Sequence, residues 1–155
     1  MILRRYKPTD DNEISALYKN AMSSVGSYID NHEVTEELDQ DLNDIQNTYI
    51  ENKGEFIVAQ EQNKIIGMGA LKKVDDTTAE IKRMCIEPLM QGQGMGGKIL
   101  DKLIAQAKEN GYSRIILDVT ETALSAQKLY ESRGFVMYKR ETLFEQKTLF
   151  YELNI

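Results

Sequence analysis

Residues Gln91 to Lys98 read Gln-Gly-Gln-Gly-Met-Gly-Gly-Lys, and they are the chain's clearest chemical signature. So many glycines leave backbone N–H groups uncovered, and a helix starting among them can hold phosphate oxygens. Three spacings compete for the cluster. Gly92, Gly94 and Gly97 satisfy G-x-G-x-x-G, with Asp118 following at about the distance a dinucleotide fingerprint requires. Against it, Glu87-Pro88-Leu89-Met90-Gln91 separate the cluster from the strand before it, which carries Glu80, Lys82 and Arg83 rather than the apolar run of a doubly wound sheet. Gly92 to Lys98 also fits G-x-x-x-x-G-K, but Ile99 stands where a P-loop needs Ser or Thr for magnesium. The third spacing is Gln-x-x-Gly-x-Gly, made by Gln91, Gly94 and Gly96. Its logic is that residues without Cβ let the chain approach an anion to which the helix amides donate. Cys85 is the only cysteine and His32 the only histidine, so neither an internal disulfide nor a cysteine/histidine zinc site can form, and no metal is expected.

The elements that must position this loop follow from hydrophobic periodicity. Ile2 to Tyr6 reads as a strand, and Asp10-x-x-Glu13 as a capping-box start for a helix whose apolar face is Ile14, Leu17, Tyr18, Ala21 and Met22. Leu38, Leu42, Ile45 and Tyr49 keep one helical stripe and predict a second helix, with Glu36, Glu37, Asp39, Asp41 and Asp44 on its other faces. Glu55 to Gln60 and Lys64 to Leu71 predict a hairpin, and Thr78 to Ile86 a further strand. After Pro88 and the glycines, Ile99, Leu100, Leu103, Ile104 and Ala107 mark an amphipathic helix that stops at Asn110-Gly111. Arg114 to Val119 is a strand, Ala123 to Ser132 a helix closed by Gly134, and Phe135 to Arg140 and Thr148 to Leu153 two last strands. The early hairpins imply antiparallel strands, and the strand-helix-strand run from Thr78 to Val119 implies a parallel pair. An α/β fold with a mixed sheet and helices on both faces follows.

A length of 155 residues suits one domain, taken as residues 1–155. Leu, Ile, Val and Phe supply 39 of them, a quarter of the chain, above the roughly 20% below which charged chains stay disordered. The longest run without a polar side chain, Ile65 to Leu71, falls far short of the ~20 residues of a membrane span. Met1-Ile-Leu-Arg-Arg-Tyr-Lys contains no secretory apolar region. A cytoplasmic location and no membrane partner are therefore expected. The net charge of −6 lies in the first third: residues 1–54 carry 5 basic and 11 acidic side chains, and residues 55–155 carry 14 of each. No Lys or Arg stands between Lys19 and Lys53, which argues against a nucleic-acid partner.

The Gln91–Gly96 pattern, set after Ala79-Glu-Ile-Lys-Arg-Met-Cys-Ile86 and Glu87-Pro88, resembles the pyrophosphate loop of the GCN5-related N-acetyltransferase (GNAT) superfamily and its preceding strand. Leu129-Tyr130-Glu-Ser-Arg-Gly134-Phe135 resembles the family's late helix and turn, and Arg4-Arg-Tyr-Lys-Pro-x-Asp10 its start, so the likeness extends over nearly the whole chain. It implies a central, mostly antiparallel sheet of about seven strands and transfer of an acetyl group from acetyl-CoA to a primary amine, by direct attack in a ternary complex. The resemblance places the cofactor's pantetheine arm against Met84, Cys85 and Ile86, with the Ile86 N–H polarising the thioester carbonyl. It places the pyrophosphate on Gln91, Gly92, Gln93, Gly94, Met95, Gly96 and Gly97. An acceptor amine of pKa ~10.4 must lose a proton before it attacks, and Glu80 matches a glutamate that some members use as general base. Tyr130 matches the tyrosine that protonates the departing thiolate. One departure is Ala123, where many members carry an Asn that contacts the cofactor.

Three further expectations follow. Cys85 is read as a buried, inert residue rather than an acyl carrier. The acidic Asp30, Glu33, Glu36 and Glu37 are read first as a solvated face; in the resembled family this region borders the acceptor side, where they would instead favour a cationic amine, small molecule or peptide. Phe135, Tyr138, Phe144, Phe150 and Tyr151 are assigned to core and interface, and the resemblance leaves a homodimer open. The alternative class is a non-catalytic acyl-CoA-binding sensor or interaction module, with a NAD-binding protein ranking below both.

Overall fold

In a computed structural model, residues 1–24 and 39–155 are described. Seven strands form one sheet in the order β1-β2-β3-β4-β5-β7-β6. They are β1 (Ile2–Arg5), β2 (Glu55–Glu61), β3 (Lys64–Lys73), β4 (Thr78–Ile86), β5 (Arg114–Thr120), β6 (Val136–Leu143) and β7 (Gln146–Asn154). Every neighbouring pair is antiparallel except β4 and β5, which the helix α3 (Met95–Glu109) joins as a parallel crossover. The mixed, mostly antiparallel sheet expected above is the sheet observed.

Each face has its own core. On one, Ile99, Leu100 and Leu103 of α3 and Tyr130 of α4 (Leu124–Ser132) pack with Ile57, Leu71, Ala79, Ile81, Ile115 and Leu117. On the other, Ile14, Leu17 and Ala21 of α1 (Asp11–Ser24) pack with Ile45, Tyr49, Phe56, Val58, Met68 and Cys85. Burying apolar side chains at both faces at about 25 cal/mol per Å² is what holds the layers together. Among the described residues no helix is long and apolar enough to cross a membrane.

The predicted helix over Leu38 to Tyr49 is not continuous. Leu38 lies outside the described residues, as do His32 and the acidic Asp30, Glu33, Glu36 and Glu37. Beyond them the chain makes a 3-10 turn at Gln40–Asn43, a single helical turn α2 (Ile45–Thr48) and another 3-10 turn at Ile50–Asn52. Asp44 causes the break: its φ of −150° is not helical, and its carboxylate accepts the Asn47 N–H at 3.4 Å, a cap in place of a continuing turn. The apolar stripe survives, with Leu42, Ile45 and Tyr49 all buried.

The first helix also starts differently. Asp10 reaches back to the Lys7 N–H at 2.8 Å and is ion-paired with Arg4, so the cap lies one turn earlier than expected. Glu13 instead accepts the Ile65 N–H of β3 at 3.0 Å, tying α1 to the sheet. Both two-residue hairpin tips, Gln62-Asn63 and Phe144-Glu145, have positive φ at each residue, as type I′ turns require. Phe135 and Tyr151 lie in the core, whereas Tyr138 and Phe144 are exposed.

Candidate active site

Two irregularities of β4 create the site. Parallel pairing with β5 runs only from Thr78↔Arg114 to Glu80↔Ile116, after which the two strands part. Pairing with β3 shifts register between Met68↔Cys85 and Ala70↔Lys82, where Arg83 takes a left-handed φ of 58° and forms a bulge. The bulge reverses which side chains face which layer. Ala79 and Ile81 face α3, and simple alternation would send Cys85 the same way; instead Cys85 packs on the α1 side, and Met84 and Ile86 pack on the α3 side.

Space for those two side chains comes from β3. A Cβ at Gly67 would lie 2.7 Å from Ile86 Cδ1, and one at Gly69 would lie 2.6 Å from Met84 Sδ. The two glycines inside the apolar Ile65–Leu71 run thus make room for the edge of the site. At the strand's end, Glu87 N–H donates to Ile66 O at 2.8 Å, so the ladder's alternation turns the Ile86 peptide groups away from β3. The Ile86 carbonyl accepts from Gln91 Nε2 at 3.2 Å.

The glycine loop follows. Gly92 and Gly94 both have φ of +80°, a conformation costly for any residue with a Cβ, and Gly94 caps α3 without a side-chain hydrogen bond. The first main-chain bond of the helix runs from Lys98 N–H to Gly94 O at 3.2 Å, so the Met95, Gly96 and Gly97 N–H groups precede any such partner. With the helix dipole they make an anion-binding start.

This loop, the end of β4 and the start of α4 enclose a cavity of about 440 Å³. Of the ten residues expected to hold the cofactor, every one but Gln93 lines it. Ala123, the departure from the family pattern, lines it too. Cys85 is buried, and burial pushes its thiol up to about 12, so it stays protonated and unreactive near neutrality.

A second cavity of about 310 Å³ lies on the other side of the gap, bordered by Glu80, Lys82, Arg83 and Asp118. The two cavities share Met22, Met84, Ala123, Ala126 and Tyr130 in their walls. Tyr130 is only 5% exposed, held edge-on to Phe135 with ring centroids 5.9 Å apart. Its hydroxyl has no hydrogen-bond partner among the described residues, yet no buried polar atom there is left unsatisfied, so the hydroxyl opens to the cavities. Burial raises its pKa, as does the negative charge of Asp118, and it remains a proton donor.

The Glu80 carboxylate likewise has no hydrogen-bond partner among the described residues, although its main chain pairs with β3 and β5. Burial raises its carboxyl above the ordinary value; Lys82 and Lys72 act against this, and the negative charge of Asp118 adds to it. Crowding by protein raises Asp118 as well, against the pull of Lys82 and Arg83, although the residue stays open to solvent at the cavity mouth. In the sequence, Asp118 stands out only by its dinucleotide-fingerprint distance from the glycine cluster. The signal for its place at the cavity was the alternation of β5, where Ile115 and Leu117 are buried and Ile116 and Asp118 share the opposite face.

Comparison with known proteins agrees with this geometry. A family profile described as "Acetyltransferase (GNAT) family" matches residues 16–135. N-acetylaspartate synthetase of Danio rerio is 35% identical over 100 residues, covering 63% of this chain and 36% of that protein. The chain spans less than half the length of the first curated relatives it matches. Among solved structures, an acetyltransferase from Streptococcus agalactiae superposes with a TM-score of 0.87 at 22% identity, covering 99% of this chain and 98% of that one. A phosphinothricin acetyltransferase from Sinorhizobium meliloti, solved in complex with AcCoA, gives 0.76 at 19% identity, covering 99% and 88%. With the parted β4 and β5, the glycine loop at a helix start and a profile match over most of its length, the chain belongs to the acetyltransferase (GNAT) family.

Proposed function

We propose that this chain is an acetyl-CoA-dependent N-acetyltransferase acting on the primary amine of a small molecule or peptide. The observation that carries the reading is the meeting of two cavities at Tyr130, in the gap where β4 and β5 part. The residues fit the cosubstrate: uncapped amides at the start of α3 suit a diphosphate, and the Ile86 peptide turned from β3 suits an amide-bearing arm. When bound, acetyl-CoA supplies an acyl group activated as a thioester.

The chain's own residues then divide the work. Met95, Gly96 and Gly97 N–H groups bind phosphate oxygens, supported by the helix dipole. The backbone of Met84, Cys85 and Ile86 orients the acyl arm, and the Ile86 N–H donates to the acyl oxygen as negative charge grows there. Glu80, raised by burial and by Asp118, takes the proton of the acceptor ammonium, directly or through water. Tyr130 gives its hydroxyl proton to the departing sulfur. Cys85, held as a thiol, carries no acyl group, so the amine attacks directly.

The test is to incubate purified protein with acetyl-CoA and a panel of amines while following free thiol. Amine-dependent CoA release is expected. Tight acetyl-CoA binding with no release for any amine would assign a sensor instead, and thermal stabilisation by NAD but not acetyl-CoA would overturn the reading.

A further inference from the structure

Arg83 is a charged residue in the interior of a strand, in a left-handed conformation that glycine adopts freely and arginine adopts at a cost. Its side chain is 5% exposed, and among the described residues it is held by Asp41, Asp39 and the α1 residue Tyr18. Nε donates to Asp41 Oδ2 at 2.9 Å, Nη2 donates to Asp41 Oδ1, and Nη1 donates to Asp39 Oδ1 at 2.9 Å. Asp41 also accepts the Tyr49 hydroxyl, and the Tyr18 ring covers the guanidinium, with its centroid 4.6 Å from Cζ. A planar fork with several donors fits this set of acceptors, and a point-charge ammonium does not.

These contacts have a direction. Asp39 and Asp41 belong to the 3-10 turn at Gln40–Asn43 and its N-cap, whereas Arg83 immediately precedes Met84, which borders both cavities. Arg83 and Asp39 themselves border the second cavity. Every side chain from Met84 to Ile86 owes its facing to the bulge at Arg83. We propose that Arg83 is a positioning residue: anchored by Asp41 and Asp39, it holds the left-handed bulge that aims Met84 and Ile86 at the glycine-loop cavity, and so couples the turn beside the second cavity to the strand that orients the acyl arm. The proposal rests on the acetyltransferase reading for its catalytic consequence, but not for its structural one.

Arg83→Gly separates the anchor from the backbone, because glycine keeps a φ near 58° without strain. Pairing it with Asp41→Asn avoids leaving a buried carboxylate without its cation. In the ligand-free double variant, hydrogen exchange at the Cys85 and Glu87 amides, which the ladder holds against β3, is expected to rise on the order of tenfold, while Ile57 of β2 and Ile115 of β5 keep their protection. In turnover, kcat falls by roughly 10²-fold, as for a small misplacement of reacting groups, with a much smaller change in the KM for the amine. Arg83→Lys, which keeps the charge and loses the fork, restores only part of kcat. Unchanged exchange at Cys85 and Glu87, or an equal rise in β2 and β5, overturns the proposal. If the wild-type protein releases no CoA, the acetyltransferase reading fails by itself, and the exchange pattern still decides the anchor.

Discussion

Glu80 and Asp118 stand on the same face of neighbouring parallel strands: Glu80 pairs with Ile116, and Asp118 follows Ile116 by two residues, at the point where the strands part. Burial raises Glu80 first, and Asp118 adds to the rise by like-charge repulsion. A base works deprotonated, so activity is lost as pH falls through its pKa. Asp118→Asn removes the repulsion, and the acid limb of the kcat/KM profile should move to lower pH. Glu80→Gln should remove that limb and cost about 10²–10⁴-fold in rate. An acid limb that stays in place in Asp118→Asn would separate the two carboxyls.

Tyr130→Phe deletes a hydroxyl that has no hydrogen-bond partner among the described residues and keeps the ring packed against Phe135 and Tyr151. Melting temperature and acetyl-CoA affinity, read by calorimetry, should stay close to wild type. Turnover should fall by about 10²–10⁴-fold, the range of a lost proton donor. An unchanged rate would remove Tyr130 from the mechanism.

Gly94→Ala places a Cβ where nothing stands within 4 Å, so sterics with neighbours do not oppose it. The cost is backbone: at φ +80° an L residue loses about 1–2 kcal/mol. The variant should melt lower by that amount and, because the amides at the helix start shift, should bind acetyl-CoA and desulfo-CoA more weakly in titration calorimetry.

Asp41 and Asp10 both hold their protons less tightly when folded. Burial opposes this in each, but Arg83 and Arg4 outweigh it. A carboxyl lowered on folding stabilises the protein above its unfolded value, near pH 3.9, and that contribution is lost as pH falls through the folded value. Asp41→Asn leaves the Arg83 guanidinium buried without its main partner and should cost about 3–5 kcal/mol near neutrality. The gap between wild type and variant in chemical denaturation should narrow as pH drops below the carboxylate range.

Much of the fold is legible in local patterns. Thr78 to Ile86 alternates enough to read as a strand, and the periodicity of Ile99 to Ala107 and the stop at Gly111 mark a helix without reference to anything distant. Local patterns mislead where a side chain has a distant partner. Glu13 looks like the second half of a capping box but bonds to Ile65, and Asp41 looks like a solvated helix face but lies buried against Arg83. The tip at Phe144-Glu145 carries none of the glycine or asparagine that usually signals a type I′ turn, so the last strands extend further, to Leu143 and from Gln146, than their composition suggests. In the site, the glycine loop is visible because its chemistry requires one residue type. The bulge at Arg83 and the partnership of Glu80 with Asp118 depend on strand register, which no single segment encodes.

The brevity of the β4–β5 ladder also shapes how the sheet can come apart. The sheet consists of two antiparallel runs, β1 to β4 and β5 with the β6–β7 hairpin, stitched by three residue pairs and the α3 crossover. Every other ladder of the sheet has at least four residue pairs, so this seam is its shortest main-chain junction. The seam lies directly beneath the chemistry, so a ligand lodged there would slow unfolding by locking the two halves together.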